Sequence, residues 1–313
     1  MIRHLHPTDS PRLLTFKQAA GRAEAFSLAQ ALQGTPRQFS SVQYAGIALS
    51  PRAWENCWIK TDRARVQTVV RAGPRAGPLA WEVRDLYVRR SYVSEAWDVL
   101  EQLAIPAGRS GARRIFIRVL EGSPVYDQAR RAGYSPTGVE TLYRAPSVAG
   151  AFARLGAEGA GLDLRPRTSA DEGTLFRLYC STTPVTSRIG WGQVTEEWAH
   201  AAERPVKQLR ERVLDDGAGR TTALVQTADL PVGRYFSTVW SHDCKADAAS
   251  LLAAALGDAR SDAAAVTLVP AHASGLHGLL EESGFVPEAT FAVLVKVLAA
   301  PVMETRRAMA AVG

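Results

Sequence analysis

The chain is written twice, and this duplication restricts its fold more than any other feature. "SPVYDQARRAGYSPTGVETLYRA" (Ser123 to Ala145) and "SGLHGLLEESGFVPEATFAVLVKV" (Ser274 to Val297) share one plan. In each, a serine caps a short helix that Gly133 or Gly284 stops. An aromatic follows (Tyr134, Phe285), then a proline (Pro136, Pro287), then a strand. The beginnings match as well. "IRHLHPTD" (Ile2 to Asp9) and "LRPRTSAD" (Leu164 to Asp171) each lead from an arginine-bearing strand through a polar cap to an aspartate and a helix. Arg3 and Arg165 lie 162 residues apart, Gly133 and Gly284 only 151, so the two copies differ by internal insertions.

Between these anchors the order repeats. The hydrophobic strands "RRIFIRVL" (Arg113 to Leu120) and "AAVTLVP" (Ala264 to Pro270) precede the last helices. The longer strands "LAWEVRDLYV" (Leu79 to Val88) and "RYFSTVW" (Arg234 to Trp240) precede a further helix, which in the first copy starts at Ser94 as its cap. Each half reads strand, helices, two or three antiparallel strands, helix, strand, helix, strand. That order predicts an α+β fold, three layers (α/β/α) with a mixed, mostly antiparallel sheet. The small, polar stretch "APSVAGAFARLGAEGAG" (Ala145 to Gly161) reads as a linker, giving domains at residues 1–146 and 162–313 joined by 147–161.

With 46% apolar and 22% charged residues, the composition is that of an ordinary globular protein. No apolar run has the length of a membrane span, and "MIRHLHPTDSPRLL" lacks the apolar stretch of a signal peptide. Three scattered cysteines without a C-x-x-C pair fit a reducing compartment, so the expected location is cytoplasmic. Residues 1–150 hold 21 Lys and Arg against 12 Asp and Glu; residues 151–313 hold 16 against 19. The basic half suggests an anionic ligand, while the dispersal of its charges speaks against nucleic acid.

This order of elements, with the A-G-Y-x-P ending at Ala132–Pro136, resembles the GNAT superfamily of acyl-CoA-dependent N-acyltransferases, present here in tandem along nearly the whole chain. The resemblance implies acetyl-CoA or another acyl-CoA as cofactor, a small-molecule or protein amine as acceptor, and two halves that pack within one chain. In that family the cofactor lies where the long strand splays from the next one. The pantetheine arm would then run along Leu86, Tyr87 and Val88, with the diphosphate on the turn carrying Arg89, Arg90 and Ser94. Glu82 matches the position of the family's frequent base, sharing a strand face with Arg84, Leu86 and Val88. The family's acid position holds Ala129 in one half and Leu280 in the other; Tyr126, one turn earlier, is the substitute candidate.

The sequence also departs from the family pattern. No glycine lies between Gly77 and Gly108, and Val93, Ala96 and Asp98 take the signature positions of the phosphate turn. In the second half "SHDCKADAASLL" puts Asp243 and Asp247 where phosphates would sit. Two functions follow: an N-acyltransferase with the basic N-terminal half as the active one, or a catalytically inactive relative that binds a ligand or a protein.

Overall fold

Both copies of the opening motif turn a strand into a helix through the same ion pair. In a computed structural model, which describes residues 2–50, 56–62, 65–156, 162–206, 208–257 and 261–298, Arg3 holds both oxygens of Asp9 at 2.6 Å. Arg165 holds those of Asp171 at 2.9 and 2.7 Å. Each aspartate also accepts the backbone N–H three residues before it, from His6 and from Thr168. The repeated Arg and Asp are therefore a structural clasp that satisfies open backbone donors at the helix start.

The N-terminal half runs β1 (Ile2–His4), α1 (Ser10–Ala19), β2 (Ala25–Phe26), α2 (Leu28–Ala31), α3 (Ser41–Leu49), β3 (Cys57–Asp62), β4 (Arg65–Pro74), β5 (Ala80–Val88), α4 (Ala96–Gln102), α5 (Ala104–Arg109), β6 (Arg114–Leu120), α6 (Val125–Arg131) and β7 (Ser135–Ala145). Helix α7 (Val148–Leu155), capped by Ser147, occupies much of the stretch read as a linker; residues 157–161 of that stretch lie outside the described residues. The C-terminal half continues with β8 (Arg165–Pro166), α8 (Glu172–Thr182), α9 (Val185–Trp191), α10 (Thr195–Ala201), β9 (Arg210–Asp215), β10 (Thr221–Leu230), β11 (Gly233–Trp240), α11 (Ala248–Leu256), β12 (Ala265–Pro270), α12 (Ser274–Glu282) and β13 (Val286–Val297).

Among the described residues the strands form one continuous mixed sheet, in the order β1-β3-β4-β5-β6-β13-β7-β12-β11-β10-β9-β8. The middle of this order is an exchange. β13 of the second half lies beside β6 of the first, and β7 of the first beside β12 of the second. β7 and β13 then pair with each other, Arg144 opposite Val286 and Ser135 opposite Val295, so the join is nearly two-fold symmetric.

Helices cover both faces. On β3, Trp58 packs with Val99 and Leu100 of α4 and Val125 of α6, whereas Cys57 and Ile59 pack with Phe16 of α1 and Tyr44 of α3. This alternation is the period-two pattern of a strand buried on both sides. In the second half Leu251 and Leu280 cover one face, and Leu175 and Leu178 the other. Gly133 and Gly284 end α6 and α12 with φ of +86° and +83°, and the next residue's N–H reaches back to Ala129 and Leu280 respectively.

Two local expectations are corrected. A β-bulge in β5 shifts its register between Val83 and Asp85, so Trp81, Val83, Leu86 and Val88 share a face and Glu82 does not lie with Leu86 and Val88. Ser94 caps nothing. It sits exposed inside a 3-10 turn, Arg90–Glu95, and α4 begins at Ala96 behind Glu95.

Candidate functional site

Each half contains one parallel strand pair that separates along its length. β5 pairs with β6 only from Ala80 to Val83, and β11 pairs with β12 only at Arg234 and Tyr235. Beyond these points a strand edge turns toward a gap, and the two gaps have opposite fates.

In the N-terminal half the gap is filled by the chain itself. β4 pairs one edge of β5 from Trp81 to Val88. On the other edge Ala25 and Phe26 pair with Leu86 and Asp85, the Glu24 N–H donates to the Leu86 carbonyl at 2.8 Å, and the Gly21 N–H donates to the Val88 carbonyl at 3.2 Å. Ala23, Ala25, Phe26 and Leu28 are buried, and the Ser123 hydroxyl ties Glu24 to the end of β6 at 2.8 Å. Residues 20–26 thus take the hydrogen bonds on Leu86 and Val88 that an extended ligand arm needs.

The other residues expected at this place are also engaged. Tyr87 is buried against Phe39 and Tyr44, on the opposite face from the gap's core. Arg89 gives its backbone N–H to Gln67 and its Nε to the Val66 carbonyl, while Arg90 is exposed. At the start of α4, Glu95 and Asp98 close on Lys60 at 3.0 and 3.1 Å, so two carboxylates share one lysine and this helix start carries a net negative charge. Glu82 lies between Arg84 at 3.2 Å and Arg75 at 3.6 Å, and Tyr126 is half-buried against the core of its own half.

In the C-terminal half the gap is a cleft of about 610 Å³, well within the range of small-molecule sites. β11 forms one wall, with Ser237 and Thr238; β12 and the exchanged strand β7 form the other, with Thr267 and Glu140; α8 to α10 supply Tyr179, Trp191 and Trp198. Glu140 thus comes from the N-terminal half, carried across by the strand exchange. His242 and His272 are at the rim, and burial lowers the His272 pKa. No lysine or arginine belongs to the lining among the described residues, although Glu140 and Glu203 do.

Behind the lining lies a buried ionic network. Arg118 donates from Nε to Glu140 at 2.9 Å and from both terminal nitrogens to Glu203, at 3.0 and 2.6 Å. Arg75 approaches Glu203 at 3.2 Å and stacks over the Phe116 ring, 3.7 Å from its centroid. Burial works to raise the Glu203 pKa, but Arg118 and Arg75 override it and hold the carboxyl at about 2. Burial raises the Glu140 pKa against the single hydrogen bond from Arg118. Tyr179 and Thr238 belong to the lining, but their hydroxyl oxygens are closed off from solvent and have no hydrogen-bond partner. Sequence reading missed Glu140, Glu203, Tyr179 and Thr238, because the cleft is assembled from segments that no local motif connects.

An acyl-CoA fits this cleft only in part. The edge of β11 beyond Tyr235 has the form needed by an extended arm. The following helix start does not suit a diphosphate. Asp247 caps α11, its carboxylate accepting from the Ser250 N–H at 2.7 Å and the Ser250 hydroxyl at 2.8 Å, and these bonds keep its pKa low. A diphosphate there meets a fixed negative charge where it needs free N–H donors.

No family model matches the chain, and no curated protein matches its sequence significantly. Solved structures match its fold from end to end. A GCN5-related N-acetyltransferase from Sphaerobacter thermophilus superposes over 95% of this chain and 95% of its own, at 12% identity and a TM-score of 0.54. A tandem GNAT protein from the clavulanic acid biosynthesis pathway, solved without AcCoA, does so over 95% and 98%, at 14% identity and a TM-score of 0.51. A conserved protein of unknown function from Staphylococcus epidermidis covers 77% of this chain with 94% of its own, at 10% identity and a TM-score of 0.53. The chain has the tandem GNAT fold, an α+β architecture. No helix among the described residues is long and apolar enough to cross a membrane.

Proposed function

We propose that the chain is a GNAT-fold ligand-binding protein with one working cleft, in its C-terminal half, and that the N-terminal half is its scaffold. The observation that supports this most is the contrast between the two gaps: residues 20–26 fill the first with backbone hydrogen bonds, and the second is an open cleft. Asp247 at the helix cap and the absence of Lys and Arg from the described lining weigh against acyl-CoA as its ligand. In this reading Glu82 and Tyr126 support structure rather than chemistry. The test is calorimetry of acetyl-CoA against the full chain, with free thiol release followed in the presence of small amines. No heat at millimolar acetyl-CoA and no thiol release are expected. Saturable acetyl-CoA binding that a cleft-filling Ser237→Trp leaves untouched would place the working site elsewhere and end the proposal.

A second reading has a specific support, the unpaired edge of β11. It is acyl transfer to a small-molecule or protein amine in the C-terminal cleft, with the acyl donor held by its arm alone. Thiol release from acetyl-CoA that Ser237→Trp abolishes would favour it over the first.

A further inference from the structure

The two halves differ at one connection. In the first, α1 ends at Ala19 and α2 begins at Leu28, and the chain between them carries the plug. In the second, α8 ends at Thr182 and α9 begins at Val185, with Thr183 and Pro184 between them. At this place in the chain the second copy has no segment to lay beside β11.

The plug shows what such a gap holds. It adds antiparallel to β5, with the Glu24 and Gly21 N–H groups donating to the Leu86 and Val88 carbonyls. Ala23, Ala25 and Phe26 are buried around it. β11 offers matching groups. The Arg234 N–H donates to the Ala264 carbonyl at 2.7 Å, on the β12 side, and the Ser241 N–H to the Thr222 carbonyl at 2.8 Å, on the β10 side. Backbone groups alternate along a strand, so those of Thr238 and Trp240 face the gap, as those of Leu86 and Val88 do in the first half. Among the described residues no strand pairs with them on that side. A strand edge with open N–H and C=O groups is a template for another chain.

The surrounding side chains limit the segment's chemistry. Leu178 and Trp198 line the cleft on one face of β11 and Leu276 on the other. The described lining has no lysine or arginine to meet an acidic residue. We infer that the C-terminal cleft takes an extended, uncharged peptide segment with small or apolar side chains, which adds to the edge of β11 as the strand that the first half supplies to itself. What is recognised is backbone N–H and C=O, and neither an amino group nor a thioester takes part. This rests on the reading that the C-terminal cleft is the working site.

The probe is acetyl-Ala-Gln-Ala-Phe-amide, which follows Ala23–Phe26 with glutamine in place of Glu24 and carries no amine and no charge. It is titrated into the full chain and followed by calorimetry. Two counterparts are N-methylated, one at both alanines and the other at glutamine and phenylalanine. In an added strand alternate N–H groups face the neighbour. One counterpart is therefore expected to lose affinity by about tenfold or more while the other keeps it. Thr238→Pro removes an N–H that β10 does not use, and is expected to weaken the unmethylated probe by about as much. No binding of the probe at millimolar concentration, or equal effects of the two methylation patterns, overturns the inference while leaving the cleft reading in place. Binding that survives Ser237→Trp overturns both, because the probe then lies outside the cleft. Should Thr238→Pro fail to fold, the methylated pair in the parent chain together with Ser237→Trp still decides the question.

Discussion

Glu203, from the C-terminal half, meets Arg118, from the N-terminal half, with both carboxylate oxygens at 3.0 and 2.6 Å. The Arg118 side chain is 1% exposed and that of Glu203 9%. Removing one partner of such a pair leaves an uncompensated buried charge. Glu203→Ala is expected to cost about 3–5 kcal/mol in denaturant unfolding. A cost below about 1 kcal/mol, the range of surface pairs, would mean that water reaches Arg118.

The same pair sets an acid limit. The Glu203 pKa is lower in the folded chain, at about 2, than the ordinary carboxylate value of about 4.3. A lowered folded value means that its stabilisation is complete above the unfolded value and is lost as pH falls through the folded one. The melting temperature should therefore drop as pH falls from about 5 toward 2. Glu203→Gln should start lower and show a shallower acid dependence; an unchanged slope would assign the acid limit to other carboxylates.

Residues 20–26 are held as core. Phe26 is 4% exposed and sits edge-to-face on Phe291, centroids 5.4 Å apart. Phe26→Ala is expected to destabilise by about 3–5 kcal/mol.

The clasps Arg3–Asp9 and Arg165–Asp171 predict matched penalties. Asp9→Ala and Asp171→Ala each remove an acceptor of backbone and arginine N–H groups at a helix start. Each is expected to lower stability by about 1–2 kcal/mol in thermal unfolding. A negligible effect of either would show that solvent satisfies those donors equally well.

The strand exchange makes a further prediction. Residues 1–146 alone would carry β6 and β7 without β13, which pairs with both. Such a fragment exposes two long strand edges. It is expected to be insoluble or unfolded by circular dichroism, and to gain structure when residues 147–313 are supplied. A stable, monomeric fragment would mean that β7 can close directly on β6.

The repeats made the fold legible. The glycines of the end motifs and the Arg–Asp pairs of the beginnings act through neighbours within a few residues, which is the range over which sequence alone gives geometry; the expected serine caps are not made, Ser123 lying before the Pro124 cap of α6 and Ser274 inside α12 behind Ala273. The β5 bulge was hidden because nothing in "WEVRDLYV" distinguishes an extra residue from a regular alternation. The site was hidden for a stronger reason. The plug at 20–26 is a short run of mostly small residues like many others, with Arg22 and Glu24 among them, and Glu140 reads as one more polar residue on a strand. Only the pairing of β7 with β12, Glu140 opposite Pro270, brings that carboxylate to the other half's gap.

That pairing has a consequence for the history of such a chain. Once the last strands are traded, a duplicated half is free to surrender its own pocket without becoming dispensable. Its contribution is measured at its neighbour's cleft, so substitutions in Ser135–Ala145 should be inherited together with those lining the gap beyond Tyr235.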